Sequence, residues 1–184
     1  MALVYSPRAT RTISLPLPPL RRLFGWMKEL PHTRSCFVCG EFNPMGLKMR
    51  FETDGRVVHS RFVARPEHIG FKRTVHGGLM ATVLDEIMVW ACAVQTGRFA
   101  YCAELSVRFL HPMKPGETVL VTSELVANRR GKIFQASAEL CRETGEKLAT
   151  ATGKYLPIRA SDLADMATDF IGDPGWAIEP KQVG

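Results

Sequence analysis

His76-Gly77-Gly78-Leu79-Met80-Ala81-Thr82-Val83-Leu84-Asp85-Glu86 is the stretch from which the fold can be read. Two glycines open a run that stays apolar almost all round until about Gln95. This pattern predicts a helix from Gly77 to Gln95, and a helix apolar on every side must be buried by other elements. Upstream, Leu47, Met49 and Phe51 alternate with Lys48, Arg50 and Glu52, which predicts a strand. Thr53-Asp54-Gly55 then turns the chain into a second strand over Val57–Val63, and Pro66–Val75 reads as a loop. Downstream, Phe99, Tyr101, Ala103, Leu105, Val107 and Phe109 alternate with polar or small residues. Met113-Lys114-Pro115-Gly116 leads into Thr118–Val126, Asn128-Arg129-Arg130-Gly131 into Ile133–Cys141, and Glu143-Thr144-Gly145-Glu146 into Leu148–Leu156. Residues 161–171 suggest a short acidic helix.

Two strands, one long helix and four strands joined by short turns define an α+β fold. Short turns make neighbouring strands antiparallel. A curved antiparallel sheet wrapped around one helix is the simplest way to bury that helix. Such a sheet leaves edges and one face open, so self-association is expected.

The same stretch carries the chemistry. Gly77 and Gly78 let another molecule approach the backbone, and their N–H groups stand at a helix N-terminus, where negative charge is favoured. That is a cradle for a carbonyl oxygen becoming an oxyanion. Asp85 follows in an apolar helix, where a carboxylate is costly unless paired or used and where burial moves it toward the range of a general base. The alternative is a tight helix entry, with Asp85 or Glu86 paired to an arginine such as Arg108.

Composition narrows the class. The 184 residues are 46% hydrophobic and 23% charged, as in ordinary globular proteins. The longest apolar stretch, Leu79–Val94, has Asp85 and Glu86 at its centre, so no membrane span is expected. Five cysteines, an odd and sparse set, point to a reducing, cytoplasmic setting. The net charge of +6 divides into +5 for residues 1–35, +4 for 36–156 and −3 for 157–184. With no basic helix or aromatic-basic platform, nucleic acid is not an expected partner. Residues 1–35 read as a basic, flexible or partner-draped extension, and residues 158–184 as an acidic tail. Were the arm a transit peptide, the site of action would be an organelle.

Residues 36–157 resemble the hotdog-fold acyl-CoA thioesterases of the PaaI-like (4-hydroxybenzoyl-CoA thioesterase) superfamily. The resemblance rests on Val75-His76-Gly77-Gly78, on Ala81-Thr82-Val83-Leu84-Asp85-Glu86 and on Leu105-Ser106-Val107-Arg108-Phe109-Leu110-His111-Pro112 with Lys114-Pro115-Gly116-Glu117. Cys36-Phe37-Val38-Cys39-Gly40 and Asn43-Pro44-Met45-Gly46-Leu47 look like the opening of many such proteins. The resemblance implies a hotdog fold and hydrolysis of an acyl-CoA to free acid and CoA, with no cofactor, since CoA enters as part of the substrate. It makes Asp85 the nucleophile or general base, Gly77 and Gly78 the holders of the thioester carbonyl, and His76 the residue orienting the loop, with Glu86 as an adjacent carboxylate. Some relatives carry an amide side chain where this chain has Ile69-Gly70-Phe71, and a hydroxyl that positions water where it has Cys102. A non-catalytic acyl-CoA-binding or regulatory hotdog module is the second reading.

Two weaker signals remain. Arg129, Arg130 and Lys132 crowd one hairpin, either to meet CoA phosphates or as a solvated tip. Cys36 and Cys39 have metal-ligand spacing but no second pair; His32 or His59 would have to complete a site, and a packed turn without metal is expected.

Helix geometry adds a constraint. Eight residues at about 1.5 Å each put Gly77 and Asp85 roughly 12 Å apart. A carbonyl held at Gly77 cannot reach the same chain's Asp85, so the site is expected between subunits of a homodimer or a dimer of dimers.

Overall fold

The computed structural model describes residues 27–175. The rest of the basic arm, with its Leu15–Pro19 run, and residues 176–184 lie outside the described residues.

The decisive helix, α1 (Gly77–Thr96), begins where His76 takes an extended backbone and its ring accepts the N–H of Gly78. It ends at Gly97, whose left-handed backbone (φ 68°) sends its N–H to the carbonyl of Ala93. By length and composition α1 could cross a membrane, but Val83, Leu84, Ile87 and Met88 are fully buried within the domain. Each such side chain contributes about 2 kcal/mol of burial free energy.

Around it lies a seven-stranded antiparallel sheet. Its members are β1 (Lys28–Glu29), β3 (Phe51–Thr53), β4 (Val57–Val63), β5 (Ala100–Phe109), β6 (Thr118–Arg129), β7 (Ile133–Arg142) and β8 (Lys147–Pro157). The spatial order is β1-β3-β4-β6-β7-β8-β5. Thus β5, which leaves α1, crosses to the far edge and, among the described residues, pairs with β8 alone. The α+β architecture of one long helix on a large antiparallel sheet matches the sequence expectation, and the strands from β4 onward follow the period-2 patterns closely.

Two expectations need correction. The strand expected over 47–52 shrinks to Phe51–Thr53. Met49 and Phe51 are buried as the alternation implied, but Lys48 has φ 59°, which breaks a strand. The N–H groups of Leu47 and Met49 bond instead to the carbonyls of Phe37 and Val38, both at 2.8–2.9 Å. The boundaries at 36 and 157 also cut through packed structure. Lys28–Glu29 joins the main sheet, and β2 (His32–Thr33) pairs with β9 (Phe170–Ile171). Between β8 and β9, α2 (Ala160–Ala167) places Leu163 in the core. These two- and three-residue strands are too short to carry a sequence period.

Candidate active site

Asp85 lies in the third turn of α1, half-buried, beside a cavity of about 340 Å³. The walls include Trp90 and Phe99, and Met166 and Phe170 of the C-terminal segment. Trp90, Phe99 and Phe170 pack on one another with ring centroids 5.2–6.3 Å apart. The cavity is therefore largely apolar, its polar lining supplied by Thr33, Ser35 and the titratable groups.

One partner of Asp85 escaped the sequence reading. Tyr155, fully buried on β8, donates its hydroxyl to Asp85 Oδ1 at 2.9 Å. Burial and the Asp85 charge push the phenol far above its ordinary range, so it stays a proton donor. The inward alternation Ala149, Ala151, Gly153, Tyr155 was the available signal, but only the packing of β8 on α1 aims the hydroxyl. Cys102, on the edge strand β5, also bonds Asp85; burial first, and then that bond, push its thiol up to about 11. The position expected to carry a water-orienting group is thus at the carboxylate, as a protonated thiol.

Glu86 turns elsewhere. Its carboxylate accepts the Trp90 indole N–H at 3.3 Å and stands 3.8 Å from Cys36 Sγ. Burial, followed by the charge at Cys36, raises it to about 8. Neither Asp85 nor Glu86 is ion-paired to Arg108 among the described residues.

The glycine pair divides its work. The N–H of Gly78 is taken by Nδ1 of His76 at 2.9 Å, so it caps the helix and is not a free carbonyl holder, as the sequence had suggested. The N–H of Gly77 makes no hydrogen bond among the described residues. Gly77 borders a second cavity, of about 320 Å³, with Phe71, Phe109 and Met113. Gly77 and Asp85 of one chain therefore face different cavities.

Residues 72–149 match the family model of the thioesterase superfamily. The fold is that of the hotdog thioesterases. Mouse acyl-coenzyme A thioesterase 13 is 29% identical over 90 residues, which is 48% of this chain and 63% of that protein. The chain thus spans under two thirds of this curated relative. The hotdog domain also overlays the PaaI protein from the phenylacetic acid degradation operon of E. coli, with a TM-score of 0.56 and 19% identity over 61% of this chain and 81% of the other. A Streptococcus mutans UA159 protein bound to acetyl CoA overlays with a TM-score of 0.52 and 20% identity over 55% of this chain and 81% of the other. The matched segment of the hotdog domain holds Gly77, Asp85 and Cys102, whereas Tyr155, Cys36 and Phe170 lie outside it.

The cationic hairpin sits apart. Arg129, Arg130 and Lys132 line neither cavity, and Arg98, just past the C-terminal end of α1, bonds the Gly131 carbonyl at 3.1 Å. The length of α1, about 30 Å, separates that hairpin from Gly77 of the same chain.

Proposed function

We propose that this chain is an acyl-CoA thioesterase that hydrolyses an acyl-CoA to free acid and CoA, with Asp85 as nucleophile or general base. The observation that carries the reading is Asp85 itself: a carboxylate in an apolar cavity, oriented by Tyr155 and flanked by a protonated Cys102. The tyrosine hydroxyl occupies Oδ1 and leaves the other oxygen to act. The acyl group lies against Trp90, Phe99 and Phe170, which suits an apolar acid. The acyl-coenzyme A thioesterase among the relatives and the acetyl CoA in the Streptococcus mutans protein support the substrate class.

As general base, Asp85 takes a proton from a water that attacks the thioester carbonyl. The oxyanion is met by a Gly77 N–H, and collapse expels CoA as thiolate, which recovers the proton. As nucleophile, Asp85 attacks the thioester carbonyl, the C–S bond breaks to expel CoA as thiolate, and water then opens the resulting acyl anhydride. In either case the Gly77 belongs to a second chain, because one chain presents the two groups to separate cavities. The edge strand supports this: among the described residues β5 has no strand on its outer side along ten residues, and it exposes Tyr101 and Phe109. The assembly proposed is a homodimer or a dimer of dimers, acting in the cytoplasm.

A thioester panel, with thiol release followed by absorbance, tests the proposal. Turnover of at least one acyl-CoA supports it. Tight CoA binding with no turnover favours a non-catalytic acyl-CoA-binding module, a reading to which Cys102, in place of a hydroxyl, lends weight.

A further inference from the structure

We infer that Cys36, Cys39 and Glu86 form a three-ligand site for a zinc ion that pins the N-terminal loop to α1. The inference is independent of thioester chemistry. It rests on a geometry that spacing alone did not reveal: α1 brings a carboxylate, 50 residues along the chain, to the cysteine pair. One ligand atom from each residue lies within 4.8 Å of the others, and Cys36 Sγ stands 3.8 Å from Glu86 Oε1. Ligands on a tetrahedral zinc with Zn–S near 2.3 Å and Zn–O near 2.1 Å stand about 3.5–3.8 Å apart. A contraction of about 1 Å or less closes the site.

The surroundings are built for such a role. The N–H of Val38 points at Cys36 Sγ at 3.2 Å, as backbone donors do around a metal-bound thiolate. The tight turn that allows this requires Gly40, since a Cβ there would fall 2.2 Å from the Cys36 carbonyl oxygen. Thr33 Oγ1 bonds both the Cys36 N–H, at 3.1 Å, and Cys39 Sγ, at 3.5 Å. The indole of Trp90 donates to Glu86 Oε1, the oxygen that faces Cys36 Sγ, and so fixes the orientation of the carboxylate.

Two thiolates and a carboxylate around Zn²⁺ leave a single negative charge. Two cations lie against the same loop. Lys48 donates to the carbonyls of Gly40, Glu41 and Asn43 at 2.6–2.8 Å, and Arg50 donates to that of Cys39 at 3.0 Å. Binding releases the protons of the thiols and of the Glu86 carboxyl to solvent. The fourth position falls to water from the Asp85 cavity, which Cys36 and Glu86 both border. His32, considered from the sequence as a fourth ligand, is bonded to Glu41 at 3.1 Å.

The test uses the full chain, reduced and dialysed against chelator under argon. Zinc is titrated in competition with a chromophoric chelator, and cobalt(II) serves as a spectroscopic probe. The expected results are one tight zinc per chain, tetrahedral cobalt bands with thiolate charge transfer, and a higher Tm with zinc. Cys36→Ser should lose the charge-transfer intensity of one thiolate and weaken zinc about a hundredfold or more, whereas Glu86→Gln should retain it and weaken zinc about tenfold. Far-ultraviolet circular dichroism of the metal-free variants, matching the parent, separates lost ligands from lost folding. Zinc affinity no better than that of a Cys36→Ser/Cys39→Ser chain overturns the site. So does an unchanged affinity and cobalt spectrum in Glu86→Gln. A Cys36–Cys39 disulfide that re-forms in air despite saturating zinc overturns it as well.

Discussion

A Cβ placed at Gly153 would fall 2.6 Å from the ring of Tyr155, two residues further along the same face of β8. Only glycine leaves room for the phenol that reaches Asp85. Gly153→Ala is therefore expected to displace the Tyr155 hydroxyl, and Tyr155→Phe to remove it. Losing a hydrogen bond to a charged group costs about 1.5–3 kcal/mol, so kcat should fall roughly tenfold to a hundredfold in both variants. KM should change little, because Tyr155 acts through Asp85. Steady-state kinetics on an active acyl-CoA check this; a large rise in KM with kcat intact would show that the tyrosine contacts substrate instead.

Asp85→Asn should lower kcat by about a hundredfold or more in folded protein, since an amide neither attacks nor accepts the proton. Glu86→Gln should cost less, because its carboxylate faces Cys36 and Trp90. Thiol release, with circular dichroism as the folding control, measures both. Greater damage from Glu86→Gln in folded protein would reassign the site.

Cys102→Ser should retain or raise activity. The thiol is protonated beside Asp85, and a hydroxyl at that point is the better donor and acceptor. Complete loss of activity in the folded serine variant would give the sulfur a role of its own.

Mixed dimers test the shared site. A Cβ on Gly77 already sits 3.3 Å from the Phe109 ring, so Gly77→Val should close the second cavity to a carbonyl. Asp85→Asn and Gly77→Val chains, each inactive alone, should recover about a quarter of wild-type activity when randomly reassorted, because half the dimers carry one working site of two. Proven heterodimers without activity would sink the shared-site reading.

What was legible in the sequence was whatever local periodicity encodes. The all-round apolar helix and the alternating strands β4 to β8 follow from side-chain spacing, and so do Gly77 at the start of the helix and Asp85 in its third turn. What was hidden depends on register and on distance along the chain. Tyr155 reaches Asp85 across 70 residues and Cys36 reaches Glu86 across 50. Neither pairing leaves a mark in either local pattern. The loss of the Gly78 N–H to His76 was equally hidden, since a histidine before two glycines reads the same whether its ring caps the helix or points away. Lys48 misled because its neighbours really are buried; only its backbone angle spoils the strand.

The pairing of β2 with β9 has a kinetic consequence. Ser35 Oγ and the N–H of Ser35 both reach the Asp169 carboxylate, at 2.7 and 3.3 Å, across 134 positions of chain. Closing so long a loop in an unfolded chain costs about 4 kcal/mol, more than a two-residue ladder offsets. This clasp therefore forms only after the sheet has brought its ends together, and on warming it should open first. Amide protons of Arg34 and Ser35 should exchange well before those of β6 and β7. Phe170 leaves Trp90 when the clasp opens, so activity should fade at temperatures where the sheet is still intact.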